Sequence, residues 1–323
     1  VNKVKLLLAA ATILALPQIL PAQQTPARVP SISDAERAAY EALPNGPGTG
    51  PYPAIIETDP TLAKHVVYRP ADLAALKDRK LGVLVWGNGG CRDDGASARQ
   101  HLLEIASHGY LIVAPGAILS GPGATGARRE RAPDAGGKLP PVATTAEDVR
   151  AGLDWALAEN ARRGSRYFGR IDPKLTAVAG HSCGGLQALQ VAGDRRIHAV
   201  LVHNSGVFAD GSNPIQGMAV DKTLLKTLHT PVIYFLGGPT DVAFPNGSDD
   251  FRRIDHVPAV LVNLPVGHGG TFFQTNGGAV AAASIDWLDW QLRGDQTAGR
   301  SFTGTNCRLC TGQGWTIERK RIP

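Results

Sequence analysis

Past its first 22 residues the chain has no apolar run long enough to cross a bilayer as a helix. It also lacks a strong charge imbalance: 33 Lys and Arg stand against 28 Asp and Glu, a net charge of +5 that falls to +3 without Lys3 and Lys5. So small and scattered a basic excess gives no electrostatic footprint for nucleic acid. The densest basic patch, GARRERAP (126–133), reads as a solvated Gly/Pro-rich loop. No internal repeat is visible. The glycine-rich GNGGC (87–91) lacks the Gly-Lys-Ser/Thr of a phosphate loop, and CRLC (307–310) lacks the βαβ setting of a thioredoxin-type redox pair. Cysteine is sparse, with Cys91, Cys183, Cys307 and Cys310 as the full set.

What is present is ordinary globular material, 43% hydrophobic and 19% charged over 323 residues. One large α/β domain is the leading expectation, two small ones the fallback. Residues 1–22 carry Lys3 and Lys5, then a mostly apolar run broken by Pro17 and Gln18, then Ala22. This is the layout of a secretory signal, with an uncleaved anchor as the alternative. A secreted or periplasmic location follows, with no membrane association after cleavage. An even cysteine count behind such a signal allows two disulfides. Residues 23–50 read as a Pro/Ala/Gln/Gly-rich leader, 51–300 as the main domain, and 301–323 as an extension carrying CxxC.

Within the main domain β-type and helix-type segments alternate. AIIETD (54–59) and HVVYR (65–69) read as edge strands, and LGVLVWG (81–87) as a strand buried on both faces. ASARQHLLEIASHG reads as a helix with Leu102, Leu103, Ile105 and Ala106 on its apolar side and Gly109 as its stop. YLIVAPG (110–116) follows as a strand, then a long loop at 117–142. A helix begins with an expected capping box from Thr144 to Glu147. Further strands are read at 175–180, 197–206, 231–238 and 259–267, a short helix at DKTLLKTL, and a last helix at 279–292. Strands separated by helices of this length imply a mostly parallel sheet with helices on both faces.

The chemistry centres on Gly180-His181-Ser182-Cys183-Gly184, a G-x-S-x-G between the strand LTAVAG and the helix GGLQALQVAG. A turn this sharp has no room for a Cβ at its flanks, and it lifts the serine oxygen above the carboxyl end of the sheet. Serine needs a base, and on this arrangement the order is Ser, acid, His, each on a loop after a later strand. Asp241 in YFLGGPTDVAFP and His268 in NLPVGHGGTFF meet it. His181 adjoins Ser182 and reads as lining the turn; His203 comes too early in the order. The other histidines, His65, His101, His108, His198, His229 and His256, suit surface or capping roles. Asp221, Asp249, Asp250 and Asp255 lie in polar stretches and are expected in solvent.

Acyl transfer also needs donors for an oxyanion. One is expected from the backbone N–H of Cys183, the other from Gly90 or Cys91 in GNGGC. If both amides aim at one oxygen, Cys91 and Cys183 are neighbours in space. A Cys91–Cys183 disulfide then becomes the expectation, with a local Cys307–Cys310 bridge beside it and buried free thiols as the alternative.

At these motifs the chain resembles the α/β-hydrolase superfamily over roughly residues 51–295. GNGG, EIASHGYLIVAPG, DVRAGLDWAL, GHSCGG, GGPTDVAFP and GHGGTF look most like the lidless group of dienelactone hydrolases, chlorophyllase-like enzymes and bacterial cutinases or polyester hydrolases. The resemblance implies an eight-stranded sheet, a Ser182/His268/Asp241 triad and a serine esterase working through an acyl-enzyme on a small or polymeric ester. No metal or organic cofactor is implied. Cys183 stands where the polyester hydrolases usually carry methionine, and the CxxC tail is foreign to them. The segment VFADGSNPIQGMAVD (207–221) is too short for a lid domain. Trp86 and Phe272 are candidates for the acyl pocket, with a core role equally open. An amidase, peptidase or acyltransferase would share the triad, and a hydrolase-like binding protein would share only the fold.

Overall fold

A computed structural model describes residue 1 and residues 34–127, 140–209 and 212–323. The expected signal segment, most of the GARRERAP loop and the first part of the leader lie outside these residues. The fold is built on a sheet whose inner strands carry runs of apolar side chains, as burial on both faces requires. Its strands are β1 (Ala54–Thr58), β2 (His65–Pro70), β3 (Leu81–Gly87), β4 (Tyr110–Pro115), β5 (Ile171–His181), β6 (Ala199–His203), β7 (Val232–Leu236), β8 (Ala259–Asn263) and β9 (Thr316–Lys320). They form one sheet in the order β1-β2-β4-β3-β5-β6-β7-β8-β9. The six strands from β4 to β8 in that order pair in parallel; β1, β2 and β9 pair antiparallel at the flanks.

Alternation along each strand splits the core in two. Val83 and Val85 of β3, with Val232, Tyr234 and Leu236 of β7, face the side covered by α3 (Ala146–Ala161), α4 (Cys183–Val191) and α5 (Phe244–Arg253). Leu84 and Trp86, with Ile233 and Phe235, face α2 (Arg99–Ser107) and α6 (Gly278–Arg293). Helices therefore cover both faces.

Four details differ from the sequence expectations. Among the described residues there are nine strands, not eight: TIERK in the tail adds β9, and Lys320 Nζ donates to the carbonyl oxygens of Phe251, Arg252 and Ile254 at the end of α5. β2 is buried at every residue because β1 covers its outer edge. The capping box of α3 lies one residue later, between Thr145 and Asp148, which exchange backbone and side-chain hydrogen bonds. The later part of the expected leader, from α1 (Asp34–Ala42) to Gly50, packs on α2, where the buried Arg99 guanidinium donates to the backbone of Tyr40 and Leu43 and to the Asn45 side chain.

Candidate active site

The turn from β5 into α4 places one strained residue at the carboxyl end of the sheet. Ser182 has φ 54° and ψ −123°, a backbone state that a non-glycine residue keeps only when its surroundings impose it. Those surroundings are explicit. Its N–H donates to His203 O (2.9 Å), and its carbonyl accepts from Gly185 N (2.8 Å) and Ser205 Oγ (2.7 Å). A Cβ on Gly180 would strike the Gly184 carbonyl, and one on Gly184 would strike the Gly87 carbonyl, so both glycines are sterically required.

His268, on the loop after β8, brings Nε2 to 2.9 Å from Ser182 Oγ and Nδ1 to 2.6 Å from Asp241 Oδ1. The carboxylate accepts from Nδ1–H, which leaves Nε2 to accept the serine proton; the tautomer is assigned from this network. Asp241 follows β7, and its side chain is fully buried. It also accepts from Gly237 N (2.9 Å), Ala243 N (2.9 Å) and Asn204 Nδ2 (2.8 Å). Burial by itself would raise this carboxyl; the hydrogen bond and charge of His268, with those from Ala243 and Asn204, outweigh it and hold the group below the usual carboxylate range.

Cys183 opens α4, where backbone N–H groups have no partner within the helix and the positive end of the helix dipole is found. Opposite it, Gly89–Cys91 form a 3-10 turn in which Cys91 N donates to Asn88 O at 2.9 Å. The Cys91 amide is therefore committed to the turn, which leaves Gly90 as the candidate of the two donors weighed from sequence. Asn88 fixes the turn through Nδ2 to Arg92 O (2.9 Å) and Pro115 O (2.7 Å). The cysteines pair as expected: Cys91–Cys183 with Cα atoms 5.3 Å apart, and Cys307–Cys310 with Cα atoms 4.9 Å apart.

Trp86 and Phe272, for which an acyl-pocket and a core role stood equally open, are both buried in the core on the α2/α6 side. Trp86 packs against His101 and His203, and Phe272 against His101 and His181, so they support the site from beneath. His101 is wholly buried rather than superficial, and its ring nitrogens have no hydrogen-bond partner among the described residues. His65 is also buried, with Nε2 on Asp148 O. Asp250 is buried, not solvated, and accepts from Val207 N, Lys222 Nζ and Tyr234 Oη.

Two residues make contacts at the site that the sequence reading did not give them. Asn204, with φ 45°, orients Asp241 and also donates to Gly267 O beside the histidine. His181 is more than a liner of the turn: its Nε2 donates to the His268 carbonyl (2.8 Å), and its Nδ1 faces Gly89. Burial and the neighbouring His268 push His181 down to about 4, so it is neutral at pH 7.

Among the described residues no helix is long and apolar enough to cross a membrane. No family model matches the chain, and no curated protein matches it.

Proposed function

We propose that the protein is a serine hydrolase of the α/β-hydrolase type that cleaves carboxylic esters through an acyl-enzyme. The observation that carries this reading is the relay Ser182 Oγ, His268 and Asp241, closed by hydrogen bonds of 2.9 and 2.6 Å around a strained serine at a helix N-terminus. A nucleophile, a base and a group that orients the base are the parts acyl transfer needs.

In this reading His268 Nε2 takes the Ser182 proton as Oγ attacks the ester carbonyl. Asp241 holds the imidazole and stabilises the cation that forms. The amides of Cys183 and Gly90 receive the oxyanion, and each such donor typically contributes ~3 kcal/mol in the transition state. His268 then protonates the leaving alcohol, and water repeats the sequence to release the acid. Two disulfides fit an oxidising compartment, which supports a secreted or periplasmic protein. The shortness of 207–221 and the partial exposure of the His268 side chain favour a site without a lid domain.

The test is a panel of p-nitrophenyl esters of increasing chain length, matching anilides and a polyester film, with wild type and Ser182→Ala. Ester turnover that disappears in the variant supports the reading. Turnover surviving in Ser182→Ala, or anilides cleaved faster than esters, overturns it.

A further inference from the structure

The loop that offers Gly90 and the helix that offers Cys183 come from distant parts of the chain, 92 positions apart at the bridged cysteines. The loop is anchored on its far side. Asn88 donates to Arg92 and Pro115, and the Cys91 carbonyl accepts from Ala143 N and Thr144 N, both 3.0 Å. None of these partners is on α4. Gly87 and Gly184 meet only backbone against backbone. α4 reaches these anchors at one remove, through Gln187 Nε2 donating to the Thr144 carbonyl; among the described residues the Cys91–Cys183 disulfide is the direct bond between the loop and α4.

Its position relative to the backbone is equally telling. Cys91 has φ 48° and Gly90 φ 66°, while Ser182, next to Cys183, has φ 54°. Left-handed non-glycine residues cost of order 1–3 kcal/mol each and relax unless held. The bridge joins one such residue to the neighbour of another, and both sulfurs are buried.

We propose that the Cys91–Cys183 disulfide is a positioning element for the oxyanion donors: it locks the Gly90 and Cys183 amides at one spacing, and activity depends on it. This rests on the serine-hydrolase reading and adds a requirement that the triad alone does not carry. Ser182 keeps its own hydrogen bonds to His203, Gly185, Ser205 and His268, none of which involves the bridge, so loss of the bridge leaves the nucleophile and base in place and misplaces the groups that meet the developing negative charge. A donor displaced by about 1 Å costs up to ~100-fold in rate. The penalty falls on the tetrahedral state rather than on the planar ester.

The test compares wild type with the double variant Cys91→Ala/Cys183→Ala, using Cys307→Ala/Cys310→Ala as a control for disulfide loss elsewhere. Three quantities are read on p-nitrophenyl acetate: kcat, KM, and Ki for a trifluoromethyl ketone that adds to Ser182 as a tetrahedral adduct. The expected result is a ~10- to 100-fold fall in kcat, KM within about threefold, a Ki raised by the same factor as kcat/KM falls, and an unchanged pH midpoint for the base. The control keeps wild-type kcat. A merely structural bridge would lower the active fraction or the melting temperature without the matched rise in Ki. Should the double variant not fold, Cys91→Ser removes the bond at nearly constant volume and is read the same way. Wild-type kcat and Ki in a folded, bridge-free variant overturn the proposal. An oxidised wild type that neither turns over esters nor binds the ketone fails the underlying reading instead.

Discussion

Replacing His101 by leucine should flatten the acid side of the stability curve. His101 is fully buried, faces His203, His181 and Glu104, and packs on Trp86 and Phe272; burial first, then the neighbouring His181, drives its pKa from 6.5 to about 3. The folded value is depressed, so between pH 6.5 and about 3 the unfolded chain binds the proton that the folded chain refuses. Stability is therefore present above 6.5 and lost as pH falls, by ~1.4 kcal/mol per pH unit. Over the whole window that amounts to roughly 5 kcal/mol from this one ring, a large share of the 5–15 kcal/mol that holds a typical domain. His181, at about 4, adds the same slope down to its own value, and His203 is also depressed by burial. Asp250 opposes them: burial raises it to about 6, so its contribution is lost as pH rises through that value. In His101→Leu the leucine needs neither a proton nor a hydrogen bond. Urea unfolding at pH 6.5, 5.5 and 4.5 should give a stability loss per pH unit smaller than wild type by ~1.4 kcal/mol. The variant should be no less stable near neutrality, because two unpaired buried nitrogens disappear. Parallel curves for the two proteins would refute the argument.

Other substitutions probe the site. Asn204→Leu removes the amide that donates to Asp241 Oδ2 and to Gly267 O; kcat for p-nitrophenyl esters should fall ~10-fold or more with a loss of about 1–3 kcal/mol in urea stability, and an unchanged kcat would deny it an orienting role. Gly184→Ala puts a methyl group into the Gly87 carbonyl; a loss of about 3 kcal/mol or more is expected, and wild-type thermal stability would contradict the close packing of the turn. His181→Phe keeps the ring and drops the hydrogen bond to the His268 carbonyl; the expected outcome is a lower kcat with an altered pH midpoint for the base, set against an Asn variant that restores a donor in part. Truncation after Gly312 deletes β9 and the Lys320 bonds to α5; the melting temperature should drop, whereas a wild-type melt would show that the ninth strand is dispensable.

The inner strands were legible because burial on both faces leaves runs such as LGVLVWG with no polar residue. That Ser182, Asp241 and His268 would meet was legible because they follow β5, β7 and β8 in chain order. β9 was not, since an edge strand such as TIERK presents polar side chains to water and carries no apolar signature. Asp250 and His101 misled for a related reason: a charged or polar residue in a polar stretch looks solvated, and only the tertiary fold brings Lys222 and Tyr234 to the one and Trp86 to the other. Asn204 left no local trace, because its role is set by a loop 37 positions away. The disulfide was predictable where the donors were, yet the commitment of the Cys91 amide to Asn88 depends on a turn that glycine-rich sequence leaves open.

The central claim is that Ser182 is an activated nucleophile. Intact-mass and peptide analysis after incubation with a fluorophosphonate tests it most directly. One adduct per chain, on the peptide carrying Ser182, formed with a pH dependence that follows deprotonation of His268 and absent in His268→Ala, is the predicted result. No adduct on folded wild type, or labelling that persists at the same rate in His268→Ala, would contradict the account.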